Sequence, residues 1–315
     1  METLHGADRG TLDYMLGRFE TSKQFEVLAV RTQDDYKYCR KVLQGFKTKL
    51  GIPFADLRRA SITPPTVQRL VDKIAETHPS KANHVARYLS AAYRWAGLRV
   101  GVEKNPAKGV QQARERGAHR VPDAETMRAL IAFLRERGSR KGHTEGSVSP
   151  YLWAVAEIAY RCRMRGIEVR ELTDADWTVE GVIVRRHKGS LDNITRWCPE
   201  LREAWDWLAN RRNKIWQRKV LAVPLTPDKR TLLVTESGHA VGRSTLNTAW
   251  QRAMQQALKA GVLTAETRFG LHATKHRGVT DTPGTRRDKQ DAAGHRSPTM
   301  TDVYDPAGNM SKKPG

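Results

Sequence analysis

The sequence predicts a mainly α-helical protein with a small β-sheet, divided into two domains. Apolar residues recur at three- and four-residue spacing along most of the 315 residues, which is typical of amphipathic helices. Strand-like segments rich in β-branched residues stand at 182–184 and 194–197 and predict a hairpin. Between residues 105 and 121 the pattern lapses into a polar, mostly basic stretch. This stretch predicts a linker between a helical domain at 10–104 and a second domain at 122–315.

The N-terminal domain is expected to be a bundle of four short helices. Their predicted ranges are 11–19, 32–50, 64–76 and 80–95. The last helix carries one apolar stripe, formed by Val85, Leu89, Ala92 and Ala96. Thr63, before Pro64, and Ser80 are expected to cap the third and fourth helices. Four basic side chains on the outer faces could contact phosphates or only solvent: Lys81, Arg87, Arg94 and Arg99.

The second domain is expected to combine further helices with the hairpin. Before the strands, the pattern predicts a helix at 123–137, a loop rich in Gly and Ser at 138–149, and a more apolar helix at 150–164. After the hairpin turn at 188–190, helices are predicted at 200–217 and 244–261. A further helix is expected to begin at His272.

The charge of the chain points to a polyanionic partner. There are 55 Lys and Arg residues against 34 Asp and Glu, which gives a formal net charge of +21. Such an excess is most often used to bind nucleic acid, whereas the alternative is a merely basic protein such as a ribosome-associated one. The cysteines Cys39, Cys162 and Cys198 are far apart and odd in number, so neither a disulfide framework nor a zinc site is expected. Without a recognisable signal peptide or apolar spanning run, the chain is expected to be cytoplasmic or nucleoid-associated, with no membrane partner.

Two local signals in the second domain involve cations. Arg165 follows an apolar helix and precedes Glu168 by three residues, so a carboxylate could aim the guanidinium at an anion, or the two could form only a structural salt bridge. Lys188 lies at the predicted hairpin tip beside Gly189. From there its ammonium could donate a proton to a leaving oxygen, although many turn lysines are simply solvated.

Two further signals bring histidines near a tyrosine. His272 and Lys275 are three residues apart on a predicted helix, so both could address one phosphate, although a lone histidine is more often structural. Gly294 and His295 are followed, nine residues after His295, by Tyr304. A tyrosine near basic and imidazole groups is a candidate nucleophile for a phosphodiester, whereas most tyrosines in terminal helices are core or surface residues.

In this order the four signals resemble the tyrosine recombinase (phage integrase) family. The matching positions are Arg165, Glu168, Leu172 and Asp176 for its first arginine box, Lys188 for its hairpin lysine, His272 and Lys275 for its His-x-x-Arg box, and Gly294, His295 and Tyr304 for its tyrosine box. The resemblance covers about residues 10–308. It implies a helical core-binding bundle, which ends near Asn105-Pro106, joined to an α+β catalytic domain.

Two positions depart from the family pattern. Arg163 stands where the family prefers glycine, and Lys275 stands for the second conserved arginine. A lysine keeps the charge but loses the bidentate fork of a guanidinium. Arg277 is an alternative cation, although on a helix it would point away from His272. Only about ten residues precede the first predicted helix, so a separate arm-site-binding domain is not expected.

The resemblance implies an enzyme that cuts and rejoins DNA through a 3′-phosphotyrosyl link, as a site-specific integrase of a phage or mobile element. The implied roles are nucleophile for Tyr304, charge neutralisation for Arg165, Lys275 and His295, proton transfer with the tyrosine for His272, and protonation of the leaving 5′-oxygen for Lys188. No metal or other cofactor is expected. The alternatives are a chromosome- or plasmid-dimer resolvase, a type IB topoisomerase-like enzyme, and a DNA-binding protein that has lost catalysis, for which Lys275 is the motivating feature.

The partners implied are double-stranded DNA with a recombination site and further copies of the chain, as a tetramer on that DNA. A directionality factor or a DNA-bending protein is a possible further partner. The implied location is the cytoplasm, that of the host cell if the protein is encoded by a phage. The basic tail at 305–313 is expected either to dock on a neighbouring protomer or to be disordered.

Overall fold

The computed structural model describes residues 3–4, 7–115, 120–187 and 189–304. The chain divides into two compact units, Met1–Gly117 and Ala118–Gly315, which are called the N-terminal and C-terminal units below. Within the described residues, no helix is both long and apolar enough to cross a membrane.

The N-terminal unit is a helical bundle preceded by a small antiparallel hairpin. Its elements in order are β1 (Thr3–Leu4), β2 (Ala7–Asp8), α1 (Leu12–Glu20), α2 (Lys23–Glu26), α3 (Val30–Gly45), α4 (Pro64–Ala75) and α5 (Pro79–Arg99). Helix α5 packs against α1, α3 and α4. The stripe predicted on α5 is buried, and the four predicted helices correspond to α1, α3, α4 and α5. The hairpin and α2 are too short to leave a periodic signal in the sequence.

Three helix ends of this unit differ from the predicted ones in their capping or their position. Thr63 does precede α4, but its hydroxyl pairs with that of Thr66 at 2.9 Å and caps no backbone N–H. Ser80 is not a cap, because α5 begins one residue earlier at Pro79, whose fixed φ suits a first helical turn. Helix α3 ends at Gly45, five residues before the predicted end, because Phe46 adopts an extended conformation.

A buried ion pair joins three helices of this unit. Arg40 on α3 donates hydrogen bonds to both carboxylate oxygens of Asp13 on α1, at 2.7 and 2.8 Å. The same guanidinium donates to Glu20 at 3.1 Å, and Tyr88 on α5 donates to the other Glu20 oxygen at 2.7 Å. The side chains of Arg40 and Asp13 are only 11% and 8% exposed. Each charge is therefore satisfied inside the bundle by a partner from another helix.

The stretch predicted as a linker is held against the N-terminal unit over its first half. Asn105 donates to the Ser90 carbonyl at 3.0 Å, and Ala107 is buried. The Asn83 side chain exchanges two hydrogen bonds with the backbone of Ala113, at 2.8 and 2.9 Å. Residues 116–119 lie outside the described part of the chain.

The C-terminal unit packs its helices around one apolar helix. Its elements in order are α6 (Ala124–Ser139), α7 (Leu152–Arg161), α8 (Gly166–Arg170), β3 (Gly181–Val184), β4 (Asn193–Arg196), α9 (Pro199–Arg218), α10 (Arg243–Lys259), α11 (His272–Thr280), α12 (Arg286–Ala293) and α13 (Pro298–Tyr304). Helix α7 is buried along 152–159 and contacts α6, α9 and α11. A helix that is apolar all round belongs in the centre of a domain.

Close backbone approaches fix the parts of this unit that surround α7. Strands β3 and β4 pair antiparallel, as predicted, with Gly181 opposite Arg196. A Cβ atom on Gly181 would lie 2.0 Å from the Thr195 carbonyl oxygen, so only glycine fits there. Helix α7 ends before the predicted residue 164 because Arg163 has a φ of +51°, a left-handed conformation that glycine adopts more easily.

We expect Asp13→Ala to destabilise the N-terminal unit strongly, because it leaves the Arg40 guanidinium buried without its main partner. Removing one member of a buried pair costs about 3–5 kcal/mol. Amide hydrogen exchange measured by mass spectrometry on the full chain should show this loss in α1 and α3. The matched control is Glu76→Ala, which breaks the exposed Lys73–Glu76 pair and should cost less than about 1 kcal/mol. Equal exchange rates in both variants would contradict a structural role for the buried pair.

Candidate active site around Tyr304

Five of the six predicted site residues lie together in the C-terminal unit. Their positions are the residue before α8 for Arg165, the first two turns of α11 for His272 and Lys275, the segment between α12 and α13 for His295, and the end of α13 for Tyr304. Lys188, the sixth, lies outside the described residues.

Tyr304 is held on both its hydroxyl and its ring. The hydroxyl lies 3.1 Å from Nε2 of His272, within hydrogen-bonding distance. The ring stacks on that of His276 with centroids 3.9 Å apart and an angle of 16° between the planes. The Tyr304 carbonyl accepts a hydrogen bond from the Thr280 hydroxyl at 3.2 Å. Helix α11 therefore contacts the tyrosine through three of its side chains, and only 5% of Tyr304 is exposed.

His276 is a contact that the sequence analysis missed. It lies four residues after His272 on α11, so the two imidazoles share one face of the helix, and their ring centroids are 5.1 Å apart. That spacing was visible in the sequence. The stacking on Tyr304 was not, because it depends on how α13 packs against α11.

A buried carboxylate, Glu168, gathers the cations of the site. It accepts hydrogen bonds from the backbone N–H of Arg165 at 2.6 Å and from the Arg165 guanidinium at 2.7 Å. A second guanidinium, that of Arg186, lies 3.6 Å away. Burial raises the pKa of Glu168, but the hydrogen bonds from Arg165 and the nearby charges, that of Lys275 first, outweigh it and hold the pKa below its usual value. Glu168 is therefore an ionised counter-charge in the interior.

Arg186 is a second residue that the sequence analysis missed. Its side chain is fully buried and follows strand β3. It donates to the carbonyls of Cys162 and Ala292, each at 3.0 Å, to the Arg163 carbonyl, and to the Asn193 side chain at 3.3 Å. Burial lowers the pKa of Arg186 to about 10. Nothing in the sequence distinguishes it from the exposed Arg185 beside it.

Lys275 is the most unusual cation of the site. Its side chain is completely buried, and among the described residues its ammonium has no hydrogen-bond partner. The nitrogen lies 5.5 Å from the centroid of the Tyr304 ring. Burial, together with the positive charges of Arg186 and Arg165, lowers the pKa of Lys275 to about 7 against the opposing effect of Glu168. Near neutral pH this lysine is therefore poised between its charged and neutral forms.

Arg277, the alternative to Lys275, is engaged elsewhere. It forms a bidentate pair with Asp281 one turn along α11, and the Tyr160 hydroxyl donates to the same carboxylate at 2.8 Å. Two residues on a helix project about 200° apart, so Arg277 and Lys275 occupy opposite faces. The geometry therefore favours Lys275 as the cation that accompanies Tyr304.

His295 completes the buried polar group. Its Nδ1 lies 3.2 Å from the Thr301 hydroxyl, whereas its Nε2 has no hydrogen-bond partner in the described part of the chain. Its ring centroid is 4.7 Å from that of Tyr304. Burial lowers the pKa of His295 to about 4, with smaller effects from Lys275 and Arg165, so the imidazole is neutral at pH 7.

Gly294 fixes the approach of the hairpin to the segment that carries His295. It ends α12 with a φ of +68°, and its carbonyl accepts a hydrogen bond from the Leu191 N–H at 2.8 Å. A Cβ atom on Gly294 would lie 2.3 Å from the Leu191 carbonyl oxygen. Only glycine allows both the left-handed conformation and this contact.

The arrangement suits chemistry on an anion. A phenol lies beside an imidazole, next to a buried lysine and an arginine held by a carboxylate, and the buried nitrogens without a hydrogen-bond partner among the described residues include Lys275 Nζ and His295 Nε2. Those nitrogens, on Lys275 and His295, can bind the oxygens of a phosphate group. No group of three His, Cys, Asp or Glu side chains within the described residues is placed to hold a metal ion.

Comparisons with known proteins identify the fold. No protein-family model and no curated protein matches the sequence. Among solved structures, the Tn1549 transposon integrase in complex with circular intermediate DNA matches with a TM-score of 0.73 and 16% identity, over 96% of this chain and 99% of that one. A lambda integrase dimer bound to a COC′ core site matches with a TM-score of 0.70 and 15% identity, over 97% and 79% of the two chains.

The structure of a lambda integrase tetramer bound to a Holliday junction also matches this chain. The TM-score is 0.69 and the identity 16%, over 95% of this chain and 78% of that one. Both integrases are tyrosine recombinases. The fold class predicted from the sequence is confirmed, and the chain has the tyrosine recombinase fold.

Proposed function

We propose that this protein is a site-specific tyrosine recombinase that integrates or excises a phage or other mobile element. The observation that carries the proposal is the Tyr304 hydroxyl 3.1 Å from His272, among buried cations, in a chain of net charge +21. The shared fold with integrases solved on DNA supports it. The substrate is then double-stranded DNA, and the working assembly is a tetramer, as in the lambda integrase complex with a Holliday junction.

The proposed reaction begins with a proton transfer. His272 accepts the phenolic proton of Tyr304 through Nε2, and the phenolate oxygen attacks the phosphorus of a phosphodiester. A bond forms between this oxygen and phosphorus while the bond to the 5′-oxygen breaks. Lys188 is proposed to protonate the leaving 5′-oxygen. The phosphotyrosyl bond conserves the energy of the broken one, so a second 5′-hydroxyl can rejoin the strand by the reverse steps.

The cations Arg165 and Lys275, together with the neutral imidazole of His295, are proposed to stabilise the charge that builds on the nonbridging oxygens. Arg165 is held in place by Glu168, so its orientation is set before substrate arrives. Lys275 and His295 each offer a nitrogen without a partner among the described residues. The N-terminal unit, whose helices present basic side chains, is proposed to bind the DNA flanking the cleavage position.

We expect Tyr304→Phe to bind DNA with nearly the affinity of the unaltered chain and to form no covalent complex, because only the phenolic oxygen is removed. The measurement is covalent trapping on a nicked suicide DNA, with affinity followed in parallel. Arg165→Ala should retain its fold and lose cleavage, since one preorganised charge in such a site contributes ~3–4 kcal/mol. Recombination by the Phe variant would show that another residue is the nucleophile.

Substitutions at Lys275 and Arg277 should separate the two candidate cations. Lys275→Ala should abolish cleavage, and Lys275→Arg should retain it, because a guanidinium keeps the charge and adds a second donor. Arg277→Ala should cleave DNA at a rate close to that of the unaltered chain, since its partner is Asp281. Single-turnover cleavage of nicked DNA measures all three. The reverse pattern, an inactive Arg277 variant and an active Lys275→Ala variant, would move the role to Arg277.

DNA binding should be accompanied by proton uptake at Lys275. With a pKa of about 7, this lysine is charged below pH 7 and mostly neutral above it. A phosphate oxygen about 4 Å away contributes on the order of 4 kcal/mol, enough to keep Lys275 charged at pH 8. The reference is the Tyr304→Phe/Lys275→Arg double variant, whose arginine stays charged at both pH values. On binding DNA at pH 8, the Tyr304→Phe variant should therefore take up about 0.9 proton more than this reference. At pH 6 the difference should shrink, because Lys275 is then already charged in the free protein. Calorimetry in buffers of different ionisation enthalpy measures it; equal uptake at pH 8 would contradict a neutral Lys275.

A further inference from the structure

Arg186 occupies the junction of three chain segments that carry the site. Its guanidinium donates to the carbonyls of Cys162 and Arg163, two residues before Arg165, and to the carbonyl of Ala292, two residues before Gly294. Arg186 itself belongs to the segment that connects β3 to β4. One side chain therefore joins the connection between α7 and α8, the hairpin and the end of α12.

The connections of this guanidinium are short and buried. Its side chain has no exposed surface, and Asn193, which accepts from it at 3.3 Å, donates in turn to the Asp291 and Ala292 carbonyls at 3.0 and 2.9 Å. A hydrogen bond to a charged group contributes more than one between neutral groups, and a planar fork holds its acceptors in fixed directions. The relative positions of the three segments are therefore set by Arg186 and Asn193.

Arg186 also contributes charge at the site. It lies 3.6 Å from Glu168, the carboxylate that holds Arg165. The groups that surround Lys275 are Arg165 and Glu168 at the start of α8, Arg186 from the hairpin, His295 after α12, and Tyr304 on α13. Of the cations among these, Arg186 has the larger effect on Lys275. Among the described residues, no hydrogen bond or ring contact joins Arg186 to Tyr304. Its guanidinium donates instead to the carbonyls of Cys162, Arg163 and Ala292, so any effect on cleavage must pass through other residues.

We propose that Arg186 is a positioning residue for strand cleavage: its hydrogen bonds to three backbone carbonyls fix Arg165 and His295 relative to Tyr304. This inference rests on the proposed function. The positioning follows from the hydrogen bonds to the three carbonyls. The positive charge of Arg186 also lies 3.6 Å from Glu168, the carboxylate that opposes the lowering of the Lys275 pKa, so a substitution that removes the charge differs in effect from one that removes only the planar fork.

Two variants of Arg186 separate these contributions. Arg186→Lys keeps the charge and loses the planar fork, so single-turnover cleavage of a nicked suicide DNA should slow by about 100-fold, the loss that a misplacement of roughly 1 Å causes. Combined with Tyr304→Phe, it should leave the proton uptake at pH 8 unchanged. Arg186→Gln removes the charge as well. Cleavage should slow at least as much, and the proton uptake at pH 8 should fall, because Lys275 then has one positive charge fewer nearby and is charged in a larger fraction of the free protein.

The matched control is Arg185→Gln, which alters the neighbouring arginine. Arg185 is 63% exposed and pairs with Asp176, so its loss should change neither cleavage nor proton uptake. DNA affinity and circular dichroism of each variant establish that it is folded. If Arg186→Gln does not fold, the charge-conserving Arg186→Lys decides alone through its cleavage rate.

A folded Arg186→Lys variant that cleaves DNA as fast as the unaltered chain would overturn the positioning role. A folded Arg186→Gln variant with unchanged proton uptake would overturn the effect on Lys275. Failure of the proposed function gives a different result, since the unaltered chain would then form no covalent complex with any DNA tested.

Discussion

The active-site architecture depends on one buried negative charge. Glu168 faces three cations in the interior, those of Arg165, Arg186 and Lys275. Positive charges so close together repel each other strongly when water is excluded, and an uncompensated buried charge costs several kcal/mol. The carboxylate allows two guanidiniums to stay charged. It is not sufficient for a third cation: burial first, and then the charges of Arg186 and Arg165, lower the pKa of Lys275, which can lose its proton most easily.

In this arrangement a lysine at position 275 behaves differently from an arginine. A guanidinium at this position would remain charged whatever its surroundings, because its intrinsic pKa is far above neutrality. An ammonium can discharge instead, so the free protein avoids part of the cost of a third buried cation. Under the proposed function, the same property makes the positive charge depend on the arrival of a phosphate. A lysine at this position then supplies charge when the site is occupied, whereas an arginine would supply it permanently.

Sequence reasoning was most successful where a local pattern carries the information. The stripe on α5 and the apolar α7 predicted the packing of their units, and the residues His272 and Lys275 share a helix face because three-residue spacing requires it. Arg165 and Glu168 do pair, and the structure shows that the pair is both a helix-start contact and part of the site.

What the sequence could not show depends on contacts between distant segments. Arg186 and Arg185 are adjacent and chemically identical, yet one is fully buried and the other mostly exposed, because only the packing of α12 against the hairpin tells them apart. His276 is a similar case, since its stacking partner lies 28 residues away on α13. The positive φ of Arg163 also has no local cause in the sequence, and it ends α7 earlier than the apolar pattern suggested.

The attachment of Tyr304 to α11 has a consequence for an assembly of several copies. The tyrosine contacts His272, His276 and Thr280 of its own chain, so the proposed nucleophile and its proposed base belong to one polypeptide. A neighbouring subunit need not lend the attacking group. Any timing between subunits would then act within each protomer, through the packing of α13 on α11 and α12.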